Sequence, residues 1–366
     1  MTHGTVRVGV IGTSWWTDLM YVSSLMSHSG AQVTAVCGRD EGRAAATAEK
    51  LGGARVFTDY REMIAADVCD AVVIATPDDL HCDMALAAIA AGKHVLCEKP
   101  LACSYGDARR MQDAAAAAGV KNMVLFTWRW QPHWRYVKQL IDEGYVGQCR
   151  HAEFAFVSGS ALSGAYQWRF DGGRANGIVG DLGSHMIDFV HWFLGDIVTI
   201  DADIRTFVPL TAGPNGEPVV PGNDFGSLSL ELAGGGRVDI MLSGVNRVGD
   251  EAARITAAIH GDAGSIEVVH PLLGAHAGAT MRGMRNGDAA LQVLKVPSDL
   301  LEGGVDPAQL FDPYMKQSVG VRRFIDAIRG EGEIDTDFAV GARVQQVVDA
   351  ALLSAAEGSR VRLSAT

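Results

Sequence analysis

Through the first third of the chain, short apolar runs alternate with longer stretches of helical periodicity, a pattern that predicts βαβ units around a parallel sheet. VRVGVIG (6–12) reads as a strand and TDLMYVSSLMSH (17–28) as the helix after it. QVTAVCG (32–38) is a second strand, followed by an Ala-rich helix from Glu41 to Leu51, and ARVF (54–57) is a short third. CDAVVIAT (69–76) is apolar at successive positions, as a parallel strand buried on both faces requires. The helix DMALAAIAAG (83–92) leads to HVLCEKP (94–100), a strand that runs into a Lys-Pro turn. A helix over 104–118 and the strand VKNMVLF (120–126) complete an open, doubly wound sheet.

Past Phe126 the texture changes. HWRYVKQLIDEG (133–144) reads as one helix, and a Gly-rich segment leads to a second around His185–Leu194. Between Val198 and Val296 come VTIDADIRTFV, GSLSLELA, RVDIMLSGV, RITAAIHG and SIEVVH, separated by Gly-rich turns, which predict a mostly antiparallel sheet. Two late helices and a short strand at Val361–Leu363 close the chain. At 366 residues two domains are expected. The fold class is α/β, with a doubly wound parallel sheet over 1–126 and an α+β domain over 127–366 built on an open, mostly antiparallel sheet.

Charge and cysteine usage narrow the function classes. A formal net charge of -12 and a pI near 5.3 argue against a nucleic-acid surface, which needs clustered Lys and Arg. The six cysteines (37, 69, 82, 97, 103, 149) form no C-x-x-C pair, so neither structural zinc nor a disulfide framework is expected. No charged n-region followed by an apolar stretch opens the sequence, and no run of about 18 apolar residues occurs. A cytoplasmic protein without membrane attachment is expected.

The turn after the first strand is where a dinucleotide would sit. A Rossmann fingerprint G-x-G-x-x-G lets the backbone approach the pyrophosphate at a helix N-terminus. Aligned on Gly12, it wants glycine where Ser14 and Thr17 stand. Thr13 and Ser14 can instead offer hydroxyl donors to phosphate oxygens. Trp15 and Trp16 are adjacent, so they cannot both point the same way, and at least one is expected to line a cavity or interface. The second strand ends Cys37-Gly38-Arg39-Asp40, with Arg43 one turn on. Arginine suits the 2'-phosphate of NADP and an acid the ribose of NAD, so NADP is favoured and Asp40 keeps NAD open.

TPDDLH (76–81) and CEKP (97–100) both follow buried strands, at the carboxyl ends where open α/β sheets bind ligands. Further on, GIVGDLGSHMIDFVHWFLG (177–195) carries D-x-x-x-H-x-x-D. With E-K-P, this pattern resembles the glucose-fructose oxidoreductase, inositol dehydrogenase and rhizopine-catabolism (Gfo/Idh/MocA) family of oxidoreductases, along nearly the whole chain. The resemblance implies a catalytic Lys99, Asp181 and His185. It also implies a cofactor shell of Thr76, Pro77, Asp78 and His81 along the nicotinamide ribose, Glu98 beside it, and Trp168-Arg169 over the nicotinamide end. Asp78 stands where the family often has Asn. LFTWRWQPHW (125–134) resembles the family's F-N-x-R-F-x-P stretch, with Thr127 in the Asn place and Arg129 kept. Members tolerate small residues in the nucleotide turn, so Gly12, Thr13, Ser14, Trp15, Trp16, Arg39 and Arg43 remain the expected cofactor contacts there. The second sheet is expected to mediate a homodimer or homotetramer.

Elementary chemistry agrees with these roles. Asp181 precedes His185 by four residues, so in a helix both share a face and the carboxylate can orient the imidazole. Imidazole, with an ordinary pKa near 6.5, can take an alcohol proton as hydride leaves, and Lys99 can hold the same oxygen. Asp188 and His191 are read as structural, Cys97 as a buried thiol, and no metal is expected. The expected activity is NAD(P)-dependent oxidation or reduction of a sugar, polyol, inositol or glycoside. The alternatives are redox-neutral cleavage of a glycoside and a nucleotide-sensing regulator without catalysis.

Overall fold

The computed structural model describes residues 4–273 and 278–364. The chain forms two compact units, Met1–Trp130 with Phe311–Ala342 and Gln131–Leu310 with Arg343–Thr366.

In the first unit, β1 (Val6–Ile11), β2 (Ala31–Cys37), β3 (Arg55–Phe57), β4 (Ala71–Ile74), β5 (His94–Glu98) and β6 (Asn122–Leu125) form a six-stranded sheet in the order β3-β2-β1-β4-β5-β6. Every pairing is parallel. β4 is buried along its whole length, because helices cover both faces of such a sheet. After β1 the chain makes a π-helical turn, Thr17–Val22, before the short α1 (Ser23–Met26). The crossovers α2 (Glu41–Lys50), α3 (Tyr60–Ala65), α4 (His81–Ala90) and α5 (Tyr105–Ala118) follow. Asp40, Asp59 and Ser104 cap α2, α3 and α5 by accepting from the N–H groups of Arg43, Arg61 and Asp107. Gly119, at φ +64°, ends α5 in the left-handed conformation that glycine adopts without steric cost.

Phe311–Ala342 belongs to this first unit, whereas the linear reading grouped it with 127–366. Tyr314, Val319, Val321, Phe324 and Ile325 share one core with Val8, Val10, Tyr21, Leu96 and Leu125. Val124 N–H donates to the Thr336 carbonyl at 2.7 Å, and Phe338 N–H to Asn122 Oδ1 at 2.7 Å. Burying side chains of the size of Phe324 and Ile325 stabilises by about 1.5–3 kcal/mol each. The apolar stripe of a helix says that it must cover a sheet; it does not say which one.

The second unit is built on β7 (Cys149–Ser158), β8 (Ile197–Arg205), β9 (Phe225–Leu232), β10 (Arg237–Ser243), β11 (Ala253–Gly261), β12 (Gly264–Leu272), β13 (Thr280–Arg285), β14 (Gln292–Val293) and β15 (Val361–Arg362). They form a nine-stranded sheet in the order β14-β13-β12-β11-β7-β10-β9-β8-β15. All pairings are antiparallel except β7 with β10. β7, absent from the expected strands, lies in the middle of the sheet. Its alternation was legible all the same: Ala152, Phe154 and Phe156 are buried, while Glu153 between them is exposed. The opposite face carries outward residues such as Glu153, Asp239, Met241 and Val269.

α6 (Pro132–Asp142) and α7 (Ser184–Leu194) pack together through Trp134, whose ring lies 4.7 Å from that of Phe189 and 6.2 Å from that of Phe193. Beside them His133 Nε2 lies 3.0 Å from His270 Nδ1, and Trp134 Nε1 donates to the same Nδ1 at 3.3 Å. An indole N–H can only donate, so His270 Nδ1 is the acceptor, its proton is on Nε2, and His133 donates from Nε2. Both rings are neutral. Burial pushes His270 down to about 3, and burial with the neighbouring imidazole pushes His133 well below its ordinary value. Depressed histidines favour the folded state above their unfolded pKa, and this contribution is lost as pH falls below about 6.5. Denaturant titrations from about pH 7 to about pH 5 are expected to show His270 alone removing about 2 kcal/mol of stability. His270→Asn, which keeps an acceptor but cannot titrate, should flatten that slope; an unchanged slope would refute the assignment.

Candidate active site

In the first unit the strand order reverses between β1 and β4, and their carboxyl ends open the crevice where such sheets take ligands. β1 ends at Gly12, with φ +115°, and a Cβ there would lie 2.2 Å from the Ala75 carbonyl oxygen after β4. Both the conformation and the space exclude any other residue. The glycine that the turn keeps is therefore the one its geometry demands. At the other two fingerprint positions hydroxyls close the turn on itself: Thr17 N–H donates to Ser14 Oγ at 3.3 Å, and Thr17 Oγ1 donates to the Gly12 carbonyl at 3.1 Å. Thr17 is fully buried, and the helix after it opens as a wide π turn. Ser14 is exposed on the turn, and Thr13 sits against Gly38 at the end of β2.

The two tryptophans divide as their adjacency requires. Trp15 is 62% exposed and meets Trp16 edge-on, with centroids 5.6 Å apart. Trp16 turns inward, contacts Phe311 edge-on at 6.0 Å and donates from Nε1 to Glu98 Oε1 at 2.5 Å. Tyr21, on the same π turn, donates its hydroxyl to that oxygen at 2.6 Å, and Lys99 N–H donates to Glu98 Oε2 at 3.3 Å. Burial pushes the Glu98 carboxyl up, against the opposing pull of these donors and of the Lys99 charge. This network was not legible in the sequence, because nothing in the spacing links residues 16 and 21 to 98.

The loops after β4 and β5 are joined by His81. Its ring is fully buried, with Nδ1 2.9 Å from the Pro100 carbonyl and Nε2 3.0 Å from that of Thr76. Burial lowers its pKa, so the neutral ring serves one carbonyl as donor at a time. Both His81 nitrogens thus face backbone, Nε2 at the turn that carries Thr76, Pro77 and Asp78 and Nδ1 at the turn after β5. Asp78 is buried, while Thr76, Pro77 and Lys99 are partly exposed. At the end of β2, Asp40 Oδ1 is engaged by Arg43 N–H at 2.9 Å, and the Arg39 and Arg43 side chains are exposed on either side. A tight glycine turn, a helix start and cations at the end of β2 fit a nicotinamide dinucleotide. Cys97 is buried in β5, and burial holds its thiol well above the ordinary range, unsuited to act as a nucleophile.

In the second unit Asp181 lies on a π-helical turn, Val179–Gly183, and His185 on the first turn of α7. Helical i,i+4 spacing, assumed for this pair, holds only from Ser184 onward, because the preceding bonds skip one residue further. Asp181 Oδ1 lies 3.3 Å from Arg169 Nε, and the Arg169 guanidinium stacks 4.3 Å over the Trp168 ring. Trp168, Arg169 and Asp181 are thus gathered, an arrangement the separate motifs did not reveal. His185 is buried, its ring 6.1 Å from that of Phe156. Asp188 and His191 are buried along α7. Among the described residues no group of His, Cys, Asp and Glu is arranged to hold a metal, and no helix is long and apolar enough to cross a membrane. Trp128, Trp130 and Arg129 are buried in the first unit, Trp134 in the second.

Residues 6–126 match the model of an oxidoreductase family with an NAD-binding Rossmann fold, and residues 134–267 match the GFO/IDH/MocA C-terminal domain. The chain is 32% identical over 169 residues to levoglucosan dehydrogenase of Pseudarthrobacter phenanthrenivorans, covering 45% of this chain and 43% of the relative. It is 35% identical over 190 residues to scyllo-inositol 2-dehydrogenase (NADP(+)) of Bacillus subtilis, covering 50% and 56%. The chain thus spans about half the length of these curated relatives. A solved structure of levoglucosan dehydrogenase in its apo form superposes with a TM-score of 0.87 at 25% identity, covering 99% of this chain and 100% of the other. With both family models on one chain, a sheet in the order β3-β2-β1-β4-β5-β6 and a mixed nine-stranded sheet after it, the protein belongs to the Gfo/Idh/MocA family of oxidoreductases.

Proposed function

We propose that the protein is an NAD(P)-dependent dehydrogenase acting on a secondary alcohol or the corresponding ketone of a sugar, polyol, inositol or glycoside. The observation that carries this reading is Lys99, next to buried Glu98 at the end of β5, in the same sheet as a glycine turn fitted to a dinucleotide. The names of the relatives, which concern levoglucosan and scyllo-inositol, support a cyclic polyhydroxylated substrate.

A bound nicotinamide supplies the hydride acceptor or donor. Lys99 holds the substrate oxygen and stabilises the charge that develops on it. His185 takes the hydroxyl proton during oxidation and returns it during reduction. Asp181, held by Arg169, fixes the start of α7 and with it the direction of the imidazole. Such a proton transfer contributes about 10²- to 10⁴-fold, so His185→Ala should lower kcat by that factor with a sugar or inositol that reduces NAD(P). Turnover equal to that of the unaltered enzyme would remove His185 from the mechanism. A nicotinamide that stays bound through purification, with no need for added NAD(P), would instead favour redox-neutral cleavage of a glycoside.

Arg39 and Arg43 support NADP as the preferred cofactor, since the Asp40 carboxylate is already engaged at the start of α2. Each charge-assisted bond to a 2'-phosphate is worth about 1.5–3 kcal/mol. Arg39→Ala or Arg43→Ala alone should raise KM for NADP by about 10- to 100-fold while leaving NAD within a few-fold. Equal effects on both cofactors would point away from the 2'-phosphate.

The outer face of the second sheet supports a homodimer or homotetramer, since it exposes Met241 to 43% and Val269 to 42% amid polar neighbours. Met241→Glu with Val269→Lys should shift the mass measured by light scattering toward the monomer. An unchanged mass would place the assembly contact elsewhere.

A further inference from the structure

A carboxylate as deeply buried as Glu98 needs hydrogen-bond donors to persist as an anion. Three are present, and two of them, the Trp16 indole at 2.5 Å and the Tyr21 hydroxyl at 2.6 Å, converge on the same oxygen, Oε1. An indole N–H can only donate. A proton on Oε1 would therefore confront Trp16, whereas an unprotonated Oε1 accepts from both groups. The second oxygen takes the Lys99 backbone N–H at 3.3 Å, so the carboxylate reaches from the nucleotide turn to the residue that carries the proposed chemistry.

We infer that Trp16 is a positioning residue: with Tyr21 it holds Glu98 as an anion and thereby fixes the backbone of Lys99. This rests on the reading of Lys99 as the group that holds the substrate oxygen. Trp16 occupies the residue just before Thr17, the position at which the fingerprint wants its third glycine. The turn that gave up glycines thus gains a side chain that reaches across to the β5 turn. An anionic Glu98 ties the main chain of Lys99, so loss of either donor acts on catalysis through Lys99.

Among the described residues, the titratable groups that act on Glu98 include Tyr21 on the π turn, with Cys97 and Lys99 on either side of it in sequence. Burial, with the Glu98 charge, holds the Tyr21 phenol and the Cys97 thiol well above their ordinary values. Both therefore stay neutral as the pH falls. Removing a donor to the anion favours the protonated acid, so the Glu98 pKa rises and the catalytic loss deepens as pH falls.

The first test needs no substrate. In protein labelled with 15N-tryptophan, the Trp16 Nε1–H resonance, assigned by its loss in Trp16→Phe, should lie downfield of the other indoles and follow an acid titration that disappears in Glu98→Gln. A resonance that ignores pH in the intact protein overturns the inference. The second test is kinetic. Trp16→Phe and Tyr21→Phe should each lower kcat by more than they raise the cofactor KM, with a loss that grows as pH falls. In a Glu98→Gln background neither substitution should add an effect. Equal effects of Trp16→Phe with and without Glu98 would make Trp16 a packing or cofactor contact and sink the proposal. Failure to find any alcohol or ketone substrate would defeat the assigned activity, while the resonance would still decide the link between Trp16 and Glu98.

Discussion

The nucleotide end of the first unit is organised by the close approach of two backbones, Gly12 against the Ala75 carbonyl. A parallel sheet whose strand order reverses must leave a gap above the reversal, and the width of that gap is set by how near the β1 turn can come to the end of β4. Once Gly12 holds that distance, the remaining positions of the turn are free to be something other than glycine. Ser14 and Thr17 spend their hydroxyls on the turn itself, which leaves the outward direction to Trp15 and the inward direction to Trp16. The loss of two glycines is thus compatible with a dinucleotide turn, and it adds a contact that a glycine could not make.

Two buried polar clusters illustrate opposite solutions to the same desolvation cost. In the second unit His133, Trp134 and His270 stay neutral, and their geometry allocates each proton to a definite nitrogen. In the first unit Glu98 is surrounded by neutral donors aimed at its oxygens, which favours charge. The first arrangement costs stability in acid; the second keeps an ionisable group beside Lys99. In both places the neighbours donate, so what differs is the group that accepts: donors to an imidazole nitrogen keep the ring neutral, whereas donors to a carboxylate favour its anion.

Much of this was legible beforehand, where a pattern has a local cause. β1, β4 and β5 declare themselves because a strand covered on both faces must be apolar at every position, and the caps Asp40, Asp59 and Ser104 stand where helices must begin. E-K-P and the Asp181/His185 segment could be singled out because their residue types are unusual in combination. What escaped the linear reading depends on partners far away in the chain. β7 takes its place from partners far along the chain although its own residues alternate, and Phe311–Ala342 packs in the first unit although it follows the second sheet in sequence. The Arg169–Asp181 pair and the Trp16–Glu98 bond join segments whose separation carries no signal.

The π turn at Thr17–Val22 bears on how such chains are compared. A π turn holds one residue more than the α-helical turn it replaces, so every residue beyond it is advanced by one place relative to a regular helix. Tyr21 faces Glu98 in this wider register. In an uninterrupted α-helix the same residue would point about 100° away around the axis, and a different side chain would face the carboxylate. Residue-by-residue alignment across this turn therefore pairs positions that do not share a neighbour, and the equivalence of donors to the E-K-P glutamate has to be judged in space.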